Sequence, residues 1–233
     1  MLSAESSSHQ VRRFVAMHRR RRFLKTVLGF LSGAFFFQDP ILRGLAATAG
    51  KTLLPKGTDR KALLDKNPAT LDTTNLEVTP LEEFGTMGLS DHRTDLKTWR
   101  LGVAGAVKKP LNLSFEELVS ISPLERDVLL ICPGFFANHG SWKGVSIDRL
   151  LLMAEAEKGI SHVTIKGPQG TYQMTKRFPL DDVVSQRVFL AYEVNGRRLP
   201  GKHGFPLRTV AEGYYGYDWV KYVYRIEAEI IKE

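Results

Sequence analysis

Cysteine is almost absent from this sequence, which has a single one, Cys132, in 233 residues. One thiol excludes an intrachain disulfide framework and any Cys-x-x-Cys site for zinc or an iron–sulfur cluster. The 11 prolines and 20 glycines are too scattered for a low-complexity chain, and no motif recurs as it does in a solenoid or a propeller. The remaining composition, 43% hydrophobic and 25% charged, is that of a globular protein with a hydrophobic core.

The body of the chain also lacks an excess of either charge. The net charge of the whole sequence is +8. Residues 1–49 contain eight basic and two acidic side chains, whereas residues 50–233 contain 25 basic and 23 acidic ones. Because the basic excess belongs to the N-terminal segment, we do not expect the body to bind nucleic acid or a membrane surface through its charge.

The N-terminal segment has the features of an export signal. Its basic residues end in Arg20-Arg21-Arg22-Phe23-Leu24-Lys25, and the uncharged apolar run 26–37 that follows is too short for an ordinary membrane span. The order Arg-Arg-x-Phe-Leu-Lys resembles the twin-arginine signal, and Ala47-x-Ala49 matches a cleavage site. We interpret residues 1–49 as a twin-arginine signal segment, with a basic amphipathic anchor and an uncleaved signal anchor as open alternatives.

The twin-arginine signal predicts both a cellular location and a cofactor. The twin-arginine translocase, the expected partner during export, carries proteins that are already folded, often around a cofactor. The sequence therefore predicts a periplasmic protein that acquires a cofactor before export. A lone thiol in an exported protein is unusual, and a thiolate that ligates a metal explains both features.

Short strands dominate the predicted secondary structure of the body. Residues 50–77 are predicted as an extended arm with a helical turn near Arg60–Leu64, and residues 78–233 as one domain. Ser114 and Glu117 have the spacing of a capping box that begins a short helix, and a second helix is predicted over 146–158. The strands are predicted over 99–107, 127–132, 162–167, 171–174, 188–194 and 220–231. This pattern favours an α+β fold with mixed or antiparallel sheets and few short helices.

Two groups of residues are candidates for chemistry. Cys132 ends an apolar run just before Pro133-Gly134, a position from which a loop can present a metal ligand; a small buried hydrophobe is the alternative. Further along the chain, His203, Arg208 and Lys221 lie among Gly- and Pro-rich turns and could converge on an anion such as a phosphate. A solvated basic loop is the alternative for this second group.

A set of short motifs is spread over residues 78–231. The motifs are Leu81-Glu82-Glu83-Phe84-Gly85-Thr86, Trp99-Arg100-Leu101, Gly105-x-Val107-x-x-Pro110, Ile131-Cys132, Trp142-x-Gly144-Val145, Ala191-Tyr192-x-x-Asn195-Gly196-x-x-Leu199-Pro200, Gly204-x-Pro206-x-Arg208, Tyr215-Gly216 and Val220-Lys221. Together they resemble the molybdopterin-binding domain of the sulfite oxidase family. Within that family, the Glu-Phe-Gly-Thr element and the export signal resemble the bacterial periplasmic methionine-sulfoxide reductase catalytic subunits.

The resemblance implies a cofactor and a set of residues that bind it. The cofactor would be one molybdenum–molybdopterin per chain, without a nucleotide extension, and its metal would be held by the pterin dithiolene and by the thiolate of the catalytic Cys132. The positions that match the family's pterin contacts are Glu82, Glu83, His203, Arg208, Trp219, Val220 and Lys221. Of these, Arg208 and Lys221 would neutralise the pterin phosphate.

The sequence also departs from the family in ways that bear on the substrate. Residues 84–88, Phe-Gly-Thr-Met-Gly, lack the arginine that attracts sulfite in animal and plant sulfite oxidases. We therefore expect a reductase of small sulfoxides or N-oxides that receives electrons from a membrane haem or quinone-linked partner. Asn138 and His139 are candidate pocket residues, and a surface loop position is the alternative for His139. The alternatives are a sulfite-oxidising enzyme and a pterin-free periplasmic module that binds an anion.

Overall fold

The computed structural model describes residues 50–170 and 173–231. The predicted signal segment lies outside these residues. Among the residues described, no helix has both the length and the apolar character needed to cross a bilayer.

Twelve strands and three α-helices lie in the described part of the chain. The helices are α1 (Phe115–Val119), α2 (Ile147–Met153) and α3 (Leu180–Val184). The strands are β1 (Thr52–Leu53), β2 (Leu71–Asp72), β3 (Leu101–Gly105), β4 (Leu111–Leu113), β5 (Leu124–Cys132), β6 (Phe136–Val145), β7 (His162–Lys166), β8 (Thr175–Pro179), β9 (Val188–Val194), β10 (Arg197–Arg198), β11 (Arg208–Ala211) and β12 (Arg225–Glu229). Short 3-10 helices at Arg60–Leu63, Pro68–Thr70, Leu81–Glu83, Gly201–His203 and Gly216–Asp218 join them.

The strands form two five-stranded sheets and a small parallel pair, β1 with β2. In the first sheet the order is β10-β9-β6-β5, with β11 also paired to β9, and all its pairs are antiparallel. In the second sheet the order is β4-β3-β12-β7-β8, and β12 pairs with β3 in parallel. The α+β fold with mixed sheets and few short helices is therefore confirmed.

The hairpin of β5 and β6 is buried on both of its faces. On one face, Val128, Leu130 and Trp142 belong to the main hydrophobic core. On the other, Leu129, Ile131 and Ala137 pack under arm residues Leu54, Leu63, Leu71 and Leu76. Burial on both faces explains why the sequence of β5 ends in a continuous apolar run rather than an alternating one.

Elements with strong local signals form close to their predicted bounds. Strand β9 has the predicted bounds, and α1 has the predicted capping box, with Ser114 Oγ accepting from the Glu117 N–H at 3.2 Å. The helical turn near Arg60–Leu64 is the 3-10 helix Arg60–Leu63. In each case the residues that decide the structure are near neighbours in sequence.

Three predicted elements end earlier, or begin later, than expected. Helix α2 stops at Met153 because Glu155 has a left-handed φ of 50°. The last strand begins at Arg225 rather than Val220, since Tyr222 has a φ of 54° and interrupts the extended chain. Of the predicted strand 171–174, the first two residues lie outside the described part, and the strand β8 begins only at Thr175.

Strand β6, which is ten residues long, was not predicted from the sequence. Its sequence includes polar residues and two glycines, which weaken the strand signal. The glycines are required by close neighbours: a Cβ on Gly144 would lie 1.7 Å from the carbonyl oxygen of Leu190, and a Cβ on Gly140 would lie 3.0 Å from Phe84 Cζ. The strand is thus specified by contacts with other elements, not by its own composition.

Candidate functional site

Cys132 is the last residue of β5 and is presented by a tight turn. The Phe135 N–H donates to the Cys132 carbonyl at 3.0 Å, and Gly134 has a φ of +76°, which a residue with a side chain rarely adopts. The thiol is partly exposed. Burial raises its pKa, and the nearby charge of Lys221 acts in the opposite direction. The predicted placement of Cys132 at a strand end, beside a rigid Pro-Gly turn, is confirmed.

A loop formed by residues 84–89 packs beside Cys132. Asn138, which is on the same face of the hairpin as Cys132, holds this loop from below: its Oδ1 accepts from the Gly85 N–H at 3.1 Å, and its Nδ2 donates to the Gly85 carbonyl at 3.0 Å. Gly85 has no room for a side chain, since a Cβ there would lie 2.3 Å from the Phe136 ring. The loop therefore packs closely against the β5–β6 hairpin. Within it, the Met87 Sδ lies 3.8 Å from the Cys132 Sγ.

Replacing Asn138 by Ala should lower the free energy of unfolding by about 2 kcal/mol, because an unpaired buried polar group costs about 1–3 kcal/mol and Gly85 would keep two of them. Urea unfolding of the full chain measures this. The matched control is Asn112→Ala on β4, where the side chain is exposed and the expected change stays within about 0.5 kcal/mol. Equal effects at the two positions would contradict the role of Asn138 as a support of the loop.

Lys221 ties the same loop to the turn that carries His203. Its ammonium donates to Thr86 Oγ1 at 2.8 Å, to the Leu89 carbonyl at 2.9 Å and to the Lys202 carbonyl at 2.9 Å. These three acceptors use all three N–H donors of the amine. Burial, together with the charge of Arg208, lowers the pKa of Lys221 to about 8. Lys221 thus connects the Cys132 side of the site with its basic side.

Arg208, the first residue of β11, is buried between two tryptophans. Its guanidinium carbon lies 5.1 Å from the centre of the Trp142 ring and 5.3 Å from that of Trp219. One nitrogen, Nη1, donates to the His203 carbonyl at 3.1 Å, whereas the buried Nε has no partner among the described residues. Burial lowers the pKa of Arg208 to about 9. A buried cation of this kind indicates a missing acceptor.

His203 completes the basic group. Its side chain is only 1% exposed, its ring meets Phe84 edge to face, and the buried Nε2 has no partner among the described residues. Burial, followed by the charges of Arg208, Lys202 and Lys221, lowers its pKa to about 4. The predicted convergence of His203, Arg208 and Lys221 is therefore present, and the solvated-loop alternative is wrong because two of the three side chains are buried.

The donor set of this site fits an anion bound beside a metal. The charges of Arg208 and Lys221 repel each other, and no carboxylate forms an ion pair with either of them in the described part of the chain. The unpartnered Arg208 Nε and His203 Nε2 are both nitrogens that can meet a phosphate or a polar heterocycle. The thiol of Cys132 adjoins the same group through the loop, because Met87 Sδ lies 3.8 Å from Cys132 Sγ and the residues on either side of Met87, Thr86 and Leu89, are bound by Lys221.

The comparisons with known proteins agree with this geometry. Residues 88–230 match the family model for an oxidoreductase molybdopterin binding domain. The chain belongs to this family. A molybdopterin-binding domain of an oxidoreductase, with the fold of the sulfite oxidase type, is thus confirmed.

Two curated relatives of this molybdopterin domain are similar in sequence. The uncharacterized oxidoreductase YuiH of Bacillus subtilis is 31% identical over 134 residues, which cover 57% of this chain and 66% of YuiH. The protein-methionine-sulfoxide reductase catalytic subunit MsrP of Gluconobacter oxydans is 28% identical over 166 residues, which cover 62% of this chain and 52% of MsrP. The chain thus spans less than two thirds of the length of either relative.

A solved structure supports the fold of the domain. The sulfane dehydrogenase SoxCD from Paracoccus pantotrophus superposes with a TM-score of 0.57 at 19% identity and covers 89% of this chain and 57% of that one. At this identity the likeness shows the fold alone.

The other predicted cofactor residues of the domain differ in their placement. Trp219 is buried, its indole N–H donates to the Tyr214 carbonyl at 3.3 Å, and Val220 is buried beside it, with its carbonyl accepting from the Thr209 N–H at 2.8 Å. Glu82 and Glu83 are exposed instead. Glu82 pairs with Arg197 and Glu83 with Arg60, each at 2.5 Å. A cofactor contact from these two residues therefore stays a prediction, and their side chains are engaged elsewhere.

Of the two candidate pocket residues, only Asn138 lies on the face of Cys132. His139 is on the opposite face of β6, where its N–H donates to Thr79 Oγ1 at 2.9 Å under the arm. Its imidazole is 1% exposed, and burial lowers its pKa. The hypothesis that His139 lines the pocket is therefore wrong, because strand alternation turns its side chain away from the thiol.

A separate cavity of about 690 Å³ lies along the second sheet and contains none of the predicted site residues. Two of its cations are already paired: Lys166 and Arg225 contact the two carboxylate oxygens of Glu227 at 2.6 and 2.7 Å. The charges of Lys166 and Arg225 are thus neutralised by a carboxylate, whereas Arg208 and Lys221 have no carboxylate partner in the described part of the chain.

Proposed function

We propose that this protein is an exported molybdenum–molybdopterin oxidoreductase that reduces a small sulfoxide or N-oxide. The observation that carries the proposal is a loop, residues 84–89, that contacts the chain's single thiol and is bound by Lys221, next to the buried nitrogens of Arg208 and His203 that have no partner among the described residues. This arrangement supports a metal ligand and an anion cradle within one site. When bound, the molybdenum–molybdopterin group supplies two-electron oxygen-atom transfer.

The chain's own residues would bind and orient this group. The Cys132 thiolate would hold the metal from the rigid Pro133-Gly134 turn, and Arg208 and His203 would offer their unpartnered nitrogens to the anionic part of the pterin. Lys221 would add positive charge while keeping the loop in place. One molybdenum per chain and the absence of a nucleotide extension are part of the proposal.

The surroundings of Cys132 favour a neutral substrate over sulfite. Met87 Sδ lies 3.8 Å from the thiol, and Phe136 is the direct cross-strand neighbour of Cys132. Residues 84–90 contain no arginine, and all three N–H groups of Lys221 are used by oxygens of the protein. A sulfite dianion would therefore lose hydration without gaining donors, whereas a sulfoxide or N-oxide would place apolar substituents against apolar side chains. The MsrP relative is named for a sulfoxide reductase, which agrees with this choice.

The test is a cofactor and substrate assay. Protein from a molybdenum-replete host that makes pterin should contain about one molybdenum per chain, because the cofactor carries the redox chemistry of the proposed reaction. With reduced viologen it should reduce sulfoxides or N-oxides, and with an acceptor dye it should oxidise sulfite poorly. A metal-free preparation from such a host would overturn the proposal of a molybdenum enzyme, and fast sulfite oxidation would replace the proposed substrate class.

We also propose export by the twin-arginine route and electron supply by a membrane haem or quinone-linked partner. Replacing Arg20 and Arg21 by Lys should leave the folded, cofactor-loaded precursor in the cytoplasm, because the twin-arginine route requires the pair. Cell fractionation with an antibody to the body of the chain measures this. Replacing Arg12 and Arg13 by Lys is the matched control, which should leave export unchanged. Full export of the first variant would mean that the cluster is a generic basic region.

A further inference from the structure

Met87 contacts the thiol on which the proposed chemistry depends. Its Sδ lies 3.8 Å from the Cys132 Sγ, although the two residues are 45 positions apart in the sequence. The side chain is 45% exposed, so this contact lies at the surface of the protein rather than in the core. No motif in the sequence points to this contact.

The loop fixes the position of Met87 from both sides. Before it, Thr86 Oγ1 donates to the Lys202 carbonyl at 3.1 Å and accepts from Lys221 at 2.8 Å. After it, Gly88 has a φ of +72°, and the Leu89 carbonyl accepts from Lys221 at 2.9 Å. Because the backbone is held on both sides of Met87, the loop itself keeps the thioether beside the thiol.

Phe136 is the second residue that limits the surroundings of the thiol. It pairs directly with Cys132 in the β5–β6 register, and its ring contacts the position of Gly85 so closely that a Cβ there would lie 2.3 Å away. The thiol thus has two large neighbours, an aromatic ring held by its contact with Gly85 and an adaptable thioether. Methionine is unbranched, with three rotatable bonds, so it can yield to an incoming group.

We propose that Met87 is a specificity-determining residue that sets the size of the group able to reach Cys132 Sγ and the metal bound there. The thioether offers apolar contact and no hydrogen-bond donor, so it favours a neutral substrate with a compact apolar substituent. The part of this inference that concerns substrates rests on the proposed function. The part that concerns access to the thiol does not.

Access is tested on the full chain prepared without cofactor. Iodoacetamide and a bulky fluorescein maleimide each modify Cys132, the only thiol in the sequence, and the ratio of their rates is measured. Removing most of the Met87 side chain in Met87→Ala should raise the bulky-to-small ratio about tenfold, the size of effect that a change in pocket volume produces. Because both reagents attack the thiolate, a change in the pKa of Cys132 cancels in this ratio.

Two further variants define the cause. Met87→Leu retains the bulk without the sulfur and should leave the ratio within about twofold, since such swaps conserve volume. Met153→Ala removes a comparably exposed methionine, 40% exposed, on α2 and should leave it unchanged. Circular dichroism checks folding, and Met87→Val replaces Met87→Ala if the latter does not fold. No change in the ratio, or an equal change in Met153→Ala, overturns the proposal.

The loaded enzyme gives the second arm. Met87→Ala should raise kcat/KM for methyl phenyl sulfoxide relative to dimethyl sulfoxide about tenfold, and an unchanged ratio would contradict a role in specificity. If neither sulfoxide is reduced by the wild-type protein, the proposed substrate class fails, while the alkylation ratio still decides whether Met87 controls access.

Discussion

Cys132→Ser is expected to abolish turnover while most of the pterin stays bound. The serine hydroxyl is a much weaker donor to molybdenum than a thiolate, and the described residues contain no cluster of three or more His, Cys, Asp or Glu side chains that could hold the metal instead. Removing residues that only support metal ligands costs about 10–100-fold in activity or affinity. Loss of the ligand itself should exceed that range.

The pterin should remain because its cradle is elsewhere in the sequence. Arg208 and His203 offer unpartnered buried nitrogens, and neither depends on the Cys132 side chain for its position. Pterin content is measured by the fluorescence of its oxidised form, molybdenum by elemental analysis, and turnover with reduced viologen. Cys132→Ala, which lacks even a hydroxyl ligand, should be no more active than Cys132→Ser. Full activity of either variant would show that Cys132 is not the metal ligand.

Much of the fold could be predicted from the sequence because many of its signals are local. The capping box of α1 depends on Ser114 and Glu117, three residues apart, and the end of β5 depends on the Pro133-Gly134 turn directly after it. Strand β9 is an apolar run that ends at an Asn-Gly turn. Each signal lies within a few residues of the structure that it specifies.

For the candidate site, the sequence indicates residue types and leaves their geometry open. The types of residue at Cys132, His203, Arg208 and Lys221 indicated a thiolate ligand and an anion cradle, but their spacing could not show that one loop, residues 84–89, contacts both Cys132 and Lys221. Those contacts require the first sheet and the loop to be folded together. Long-range contacts of this kind leave no period or motif in the sequence.

The contacts that support the loop were missed for the same reason. Asn138 holds both backbone groups of Gly85, which lies 53 positions away, and Trp142 packs on Arg208 from a strand that was not predicted. His139 was considered beside Asn138 because the two are adjacent, but adjacent residues of a strand face opposite ways. Only the hairpin register separates them.

Arg208→Met is expected to have opposite effects on the cofactor-free and the loaded protein. The guanidinium is 4% exposed, its Nε has no partner among the described residues, and burial lowers its pKa to about 9. The two tryptophans compensate only in part, since a desolvated cation–π contact contributes about 2 kcal/mol. Methionine fills a similar space without a charge to desolvate. The cofactor-free variant should therefore unfold at higher urea, with a gain of about 1 kcal/mol or more.

The cofactor content of Arg208→Met should fall, whereas its stability without cofactor should rise. An anion that binds beside Arg208 loses its charge-assisted donor, and truncating one partner of a buried charge pair costs about 2–5 kcal/mol, of which 1.4 kcal/mol is about a tenfold loss of affinity. Molybdenum and pterin content should fall at least about tenfold. Arg208→Lys is the control: it keeps the charge, so the cofactor-free chain gains no stability, and it retains part of the cofactor as a point charge without the planar fork.

In the cofactor-free chain, the sign of the change in the free energy of unfolding shows whether Arg208 serves the ligand or the fold. If Arg208→Met is more stable without cofactor and empty when cofactor is supplied, the guanidinium is kept for its ligand at a cost to the fold, as expected of a binding residue. A variant that is less stable without cofactor would show that stacking on Trp142 and Trp219 and the hydrogen bond to His203 outweigh the burial of the charge. Arg208 would then be a structural residue, and the anion cradle would have to be sought at Lys221 and His203 alone.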